Sequence, residues 1–393
     1  MTKSTNQILA VIVFAQFCCT SLWFAGNGVM NDLSKAFHLN SDALANLTSA
    51  VQFGFIIGTL VFALLTLADR FSPSRVFFFS AIAGSVFNLG IILENNSLTL
   101  LMSFRFLTGF SLAGIYPVGM KIAADYYQKG LGKSLGFLVG ALVIGTAFPH
   151  LLRGMTDSLP WRLVLISTSG IAAVGGFLML MMVPDGPYRK PGQKPDLKAF
   201  FKVFRNIDFR SAAFGYFGHM WELYAFWSFV PLMLTTNLNR HPETQLNIPL
   251  LSFLIIALGG PACVLGGFIS EKFGTKKTAV TALGISCCCC LISPLIFYLD
   301  SEILLVGFLI FWSLFVIADS PLFSTLVAEN ASAEIKGTAL TITNSIGFAI
   351  TIVSIQLLSM LKDSFDETYI YTVLSIGPVI GLLALYQKKS KLN

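Results

Sequence analysis

Long apolar runs alternate with short polar turns along nearly the whole chain. The apolar stretches fall near residues 8–30, 43–67, 75–94, 98–124, 133–153, 162–183, 209–235, 248–270, 276–299, 302–328, 336–361 and 369–386. Each is close to the ~20 residues that a helix needs to cross the hydrocarbon core of a bilayer. Polar and apolar positions inside them do not alternate, which argues against barrel strands with their ~10-residue dyad pattern. Hydrocarbon gives the backbone no partner, and a helix supplies its own. The pattern therefore predicts about twelve transmembrane helices, named spans one to twelve in chain order. The one long polar stretch, near 184–210, carries Pro184, Pro187, Pro191 and Pro195 among the bases Arg189, Lys190, Lys194, Lys198, Lys202, Arg205 and Arg210.

The turns carry a second pattern. Gly267-Phe268-Ile269-Ser270-Glu271-Lys272-Phe273-Gly274-Thr275-Lys276-Lys277 is a tight charged turn between spans eight and nine. Leu67-Ala68-Asp69-Arg70-Phe71-Ser72-Pro73-Ser74-Arg75 holds the equivalent place between spans two and three. Span four reads Gly114-Ile115-Tyr116-Pro117 and then Ala124-Asp125; span ten reads Asp319-Ser320-Pro321 and then Ala328-Glu329, the acid in each case eight residues past the proline. A basic turn with glycine follows each acid, Lys129-Gly130-Leu131-Gly132-Lys133 and Lys336-Gly337. Two such repeats in register indicate a duplicated chain. The expected fold is an all-α membrane protein, with twelve transmembrane helices in two pseudo-symmetric six-helix bundles. The bundles are residues 1–183 and 209–393, and 184–208 is a linker.

Composition agrees. The chain is 55% hydrophobic and 12% charged, against about 25% charged for a soluble domain. The net charge of +6 is a topology signal and not a nucleic-acid footprint. With the N-terminus inside, the cytoplasmic segments hold roughly nineteen Lys/Arg and the outer ones roughly five. Both termini, including Lys388, Lys389 and Lys391, and the linker are then expected on the cytoplasmic side of the cell inner membrane. The first apolar run is too long for a signal-peptide core and reads as a retained anchor. All seven cysteines (Cys18, Cys19, Cys263 and Cys287 to Cys290) fall inside predicted spans. The residues of the Cys287–Cys290 run point in different directions on a helix, so packing is expected there, not a metal site or a disulfide. No cofactor is expected. The four histidines are scattered, and neither HExxH nor GxSxG occurs, so nothing points to an enzyme.

These features resemble the major facilitator superfamily over essentially the whole chain. The resemblance rests on the two charged turns, the first with Ser72 where glycine is usual. It also rests on Arg105-Phe106-Leu107-Thr108-Gly109 in span four and Pro160-Trp161-Arg162 before span six. The run from Ala113 to Leu151 is loosely similar to bacterial members grouped with nitrate and cyanate permeases. Those permeases carry arginines in spans two and eight that have no counterpart here. The Gly-Pro-x-x-Gly-Gly of drug–proton antiporters is also missing, since Gly140 is followed by Ala141 and Gly145 by Thr146. The resemblance implies a secondary active transporter for a small-molecule substrate, a monomer in the bilayer that works by alternating access. The expected solute is small and polar or anionic, moved by a symporter with protons or another coupling ion. A proton-driven drug or metabolite efflux pump and a non-transporting sensor or structural protein are the alternatives.

Ionisable groups inside a span are costly and tend to face a cavity or a partner. Helical spacing puts Gln16, Thr20, Trp23 and Asn27 on one face of span one. It does the same for Arg105, Thr108 and Tyr116 on span four, for His219, Glu222 and Phe226 on span seven, and for Trp312, Asp319 and Phe323 on span ten. The resemblance implies that these four spans surround the central cavity. Glu222 and Asp319 are then candidates for proton coupling or for structural pairing, with His219 one turn from Glu222. Arg105 offers a planar fork to an anion. Lys121 stands one turn before Asp125, so it is either a second cavity base or half of a surface ion pair. His150 and Arg153 share a face at the end of span five, as an anion vestibule or an interfacial anchor. The resemblance further implies a cytoplasmic gate built from Asp69, Arg70, Asp125, Glu271, Lys272 and Glu329. In it Asp69 faces the start of span eleven near Lys336, and Glu271 faces Gly132 and Lys133. The patterns Gly54-x-x-x-Gly58 and Gly132-x-x-x-Gly136-x-x-x-Gly140 allow close helix approach, suited to sliding surfaces between the halves or to static packing.

Overall fold

The structure is a computed structural model that describes residues 5–127, 131–155, 159–189, 204–240, 246–299, 301–331 and 336–386, with side chains described for all of these but 5 and 131–133. Lys129, most of the basic linker, Lys133 as a side chain and the C-terminal lysines lie outside that description.

Helix occupies every predicted apolar segment. Spans two (Ala43–Leu64), three (Pro73–Gly90), five (Leu131–Met155), six (Arg162–Met182), seven (Ile207–Arg240), nine (Thr275–Tyr298) and eleven (Lys336–Lys362) are continuous. The others are broken. Span one runs Thr5–Thr20, unwinds, and continues as Ala25–Gly28 and Met30–Ala36. Span four is Leu98–Leu112 then Tyr116–Tyr126; span eight is Ile248–Ala257 then Gly259–Phe273; span ten is Glu302–Ala318 then Ser320–Glu329. Span twelve starts as a short turn, Glu367–Ile370, passes through a 3-10 turn at Tyr371–Ser375 and ends as Ile376–Tyr386. Among the described residues, nine of these helices are long and apolar enough to cross a membrane. Span one stops short at Thr20, span three has only 18 residues and carries Arg75, and span seven is diluted by polar groups.

The breaks follow from local chemistry. In spans four and ten the second piece carries proline in its first turn, Pro117 and Pro321. There the missing N–H costs nothing, whereas in mid-helix it would remove a bond. Ser97, Asn247 and Ser301 cap spans four, eight and ten with side-chain oxygens that accept from the backbone N–H three residues on, each worth about 1 kcal/mol.

Packing repeats with a shift of six spans. Span two lies along span four, as eight lies along ten; span three along six, as nine along twelve; span one against five and six, as seven against eleven and twelve. The halves meet where span two packs on span eleven and, in the matching place, span eight on span five. The glycines sort differently from the expectation of sliding surfaces. A Cβ on Gly54 would sit 1.9 Å from the Phe106 carbonyl oxygen, and one on Gly58 2.6 Å from that of Phe110. Both therefore serve contact between spans two and four of the same half. Gly140 does face the other half, where a Cβ would meet the Gly260 carbonyl oxygen at 3.1 Å.

Candidate functional site

In the first half the chemistry gathers at the break in span one. Unwinding at residues 21–24 leaves carbonyls without their helical partners. Arg105, 1% exposed, reaches them from span four: Nη1 donates to the Leu22 carbonyl at 3.0 Å, and Nη2 donates to the Trp23 carbonyl. A planar fork suits two adjacent acceptors. The guanidinium is thus compensated by backbone dipoles, and its Nε has no partner among the described residues. Gln16 is fully buried beside Gly119, and its carboxamide has no partner among the described residues; nor has that of Gln52 in span two. Asn27 donates to the Thr48 hydroxyl at 2.9 Å. Tyr116 is half-buried at the start of the second piece of span four. At the end of span five the expected His150–Arg153 face splits: His150 is buried, and Arg153 forms a two-pronged bond to Asp32 at 3.0 and 3.1 Å.

In the second half the polar stripes of spans seven and ten face each other. Glu222, with no exposure, accepts from the Trp312 indole at 2.5 Å, the Ser286 hydroxyl at 2.9 Å and the Cys290 thiol at 3.3 Å. Three donors offset the desolvation of a buried carboxylate. One turn away, His219 Nδ1 lies 2.8 Å from the Asp319 carboxylate, both groups essentially unexposed. His219 therefore partners Asp319 across spans, not Glu222 along its own helix. Ser286 and Cys290 were missed in the sequence, where the cysteine run looked like packing. Their signal was an i,i+4 polar pair on span nine.

Between the halves stands a cluster of rings, Trp23, Phe24 and Phe55 from the first and Tyr224, Trp227 and Phe348 from the second, none more than 3% exposed. Trp23 stacks on Phe348 with centroids 5.6 Å apart, and Phe55 meets Phe348 at 4.6 Å. The indole N–H groups of Trp23 and Trp227 are buried without partners among the described residues. Hydrogen bonds join the halves at the face opposite the chain's start, here the far face. Gln356 donates to Asn46 at 3.3 Å and to Ser49 at 3.0 Å, Ser359 donates to Asp42 at 3.3 Å, and Asn247 donates to the Gly154 carbonyl at 3.0 Å.

The charged turns lie on the near face. Asp69 bonds to Lys121 of its own half at 2.8 Å, not to the start of span eleven. The second piece of span four packs on span three, which brings Lys121 to the turn that carries Asp69. Lys121 also lies 3.8 Å from Asp125, so it joins a charged cluster with Asp69 and Asp125. Arg189, at the head of the linker, donates to the Asp69 and Phe71 carbonyls at 3.0 and 2.8 Å and pairs with Asp185. Arg70, Glu271, Lys272, Lys336 and Glu329 are exposed. The expected partner of Glu271, Gly132–Lys133, lies outside the described side chains.

A duplicated, all-helical membrane fold with broken spans and buried ion groups near its half-interface defines a class, the two-bundle membrane carriers. Residues 12–355 match the Major Facilitator Superfamily, and the chain belongs to it. It is 24% identical over 201 residues to the probable galactarate/D-glucarate transporter GudP of Escherichia coli (strain K12), covering 48% of this chain and 44% of that one. It is 23% identical over 205 residues to an uncharacterized transporter of Buchnera aphidicola, covering 52% and 49%. The chain thus spans about half the length of these curated relatives. Among solved structures, the proton:xylose symporter XylE superposes with a TM-score of 0.76 at 15% identity, covering 96% of this chain and 94% of that one. The nucleoside transporter NupG superposes with a TM-score of 0.73 at 14% identity, covering 98% and 100%. These likenesses show the fold.

Proposed function

We propose that the chain is a secondary active transporter that crosses the membrane twelve times and works by alternating access, held here with its far face shut. The near face is taken as cytoplasmic, because the Lys/Arg excess lies there. One observation carries the reading: the distribution of contacts between the halves. Gln356, Ser359 and Asn247 tie them together at the far face, whereas among the described residues of the near face Asp69 is bound within its own half and Glu271 is exposed. Two rigid bundles that seal one end and release the other alternate access by rocking.

The solute is a small polar or anionic molecule. In support, Arg105 is a buried cation with no carboxylate beside it among the described residues, and Gln16 and Gln52 hold unpartnered carboxamides. A relative's description as a galactarate/D-glucarate transporter agrees with that class. Coupling is assigned to protons carried by Glu222 and the His219–Asp319 pair.

Cysteines at Asn46 and Gln356, introduced with Cys288→Ser to remove the exposed thiol, test the rocking. A short bifunctional thiol reagent between them should stop net transport in reconstituted vesicles, and cleavage of the linker should restore it. Transport that continues through a locked far face defeats the proposal. For coupling, Glu222→Gln should abolish proton-driven accumulation and leave solute exchange; an unaltered pH dependence removes Glu222 from that role.

A further inference from the structure

A groove of about 460 Å³ lies on the outside of the second half, between spans nine, ten and twelve, away from the interface of the halves. Its floor is one stripe of span nine, Thr281, Gly284, Cys288 and Ile292, and its walls include Phe311 and Tyr386. Cys288, Ile292, Phe311 and Tyr386 are exposed there. A Cβ on Gly284 would meet nothing within 4 Å, so the stripe is open where a side chain would fill it. From Thr281 to Ile292 the helix rises ~17 Å, close to half of the ~30 Å hydrocarbon core. The groove therefore has the depth of one leaflet. Its mouth is on the near face, where Lys277 stands one turn before Thr281 on the same stripe, exposed, with exposed Lys276 beside it.

We propose that this groove holds an acyl chain of an anionic phospholipid, whose phosphate lies against Lys277. An apolar channel of one-leaflet depth, open sideways and ending at a cation, matches the geometry of a lipid. Van der Waals packing of the chain in the groove and a screened lysine–phosphate contact together select it. The site is independent of the transport reading, and its failure leaves that reading untouched.

Cys288 lines the groove and is the exposed member of the seven cysteines, so alkylation reports occupancy. Delipidated protein in detergent is treated with N-ethylmaleimide in the presence of phosphatidylglycerol or of phosphatidylcholine with the same acyl chains. Phosphatidylglycerol at about ten times its Kd should slow Cys288 alkylation about tenfold, as occupancy scales with 1 + [L]/Kd, and phosphatidylcholine should slow it less. Lys277→Gln should erase the difference between the lipids. Gly284→Phe should fill the groove and remove the lipid dependence. Native mass spectrometry gives a reading that needs no groove variant: wild type retains phosphatidylglycerol and K277Q loses it. Equal alkylation with and without phosphatidylglycerol overturns the proposal. So does equal protection by both lipids, equal lipid retention by wild type and K277Q, or protection that follows protein concentration, which would make the occupant a second copy.

Discussion

The two halves share a packing plan and handle buried charge in opposite ways. The first unwinds span one and sets a cation, Arg105, on the released carbonyls. The second keeps span seven intact over Ile207–Arg240 and surrounds an anion, Glu222, with side-chain donors from two other spans. A backbone-held arginine fastens a helix break to its neighbour. A carboxylate held by neutral donors keeps its proton chemistry, since Ser286, Cys290 and Trp312 remain donors or rotate when it is protonated. Duplication thus supplied one scaffold, and the halves diverged in how they hold a buried ionisable group.

The largest effect that would break this comparison is at Arg105. Arg105→Ala removes two charge-assisted bonds of ~1.5–3 kcal/mol each, so stability should fall by about 3–6 kcal/mol in thermal unfolding. Arg105→Lys should restore less than half of that, because an ammonium cannot span both carbonyls. A full rescue by lysine would mean that the charge matters and the fork does not.

The turns sharpen the comparison at a smaller scale. In the second half the bend is made by Gly274 at φ 89; in the first, where Ser72 replaces the glycine, the chain bends at Thr66 with φ 50. A β-branched residue in the left-handed region is strained by roughly 1–2 kcal/mol. Thr66→Gly should therefore raise the melting midpoint, and Gly274→Ala should lower it. The same sign for both would mean that the turns are not alternative solutions to one bend.

The smallest effect is at Asp69. Its pair with Lys121 is partly solvated, at 23% and 25% side-chain exposure, so Asp69→Asn should cost at most about 1 kcal/mol. If the turn also latches the near face in the opposite state, the variant should label faster with thiol reagents at near-face cysteines. Unchanged labelling would confine Asp69 to its own half.

Much of the fold was legible in the sequence. Hydropathy located the helices, and the register of Pro117 with Pro321 and of Asp69 with Glu271 showed the duplication. Helical spacing also found the stripes of spans four, seven and ten, including Arg105, Glu222 and Asp319. What it could not supply was what each stripe touches. Periodicity fixes a direction from one helix axis and is silent on which neighbour lies there. Hence Glu222 was read with His219, and Gln52, Ser286, Cys290 and the ring partners of Trp23 were overlooked.

The sequence alone determined the elements and their repetition, because bilayer insertion and helix breaks depend on local composition: apolar length, proline and charge near the turns. Tertiary structure alone decided the pairing of buried charges. The carbonyls that Arg105 holds lose their α-helical partners and open to a side-chain donor only after span one unwinds. The donors around Glu222 come from residues more than sixty positions away in the chain, brought together only when the second bundle closes.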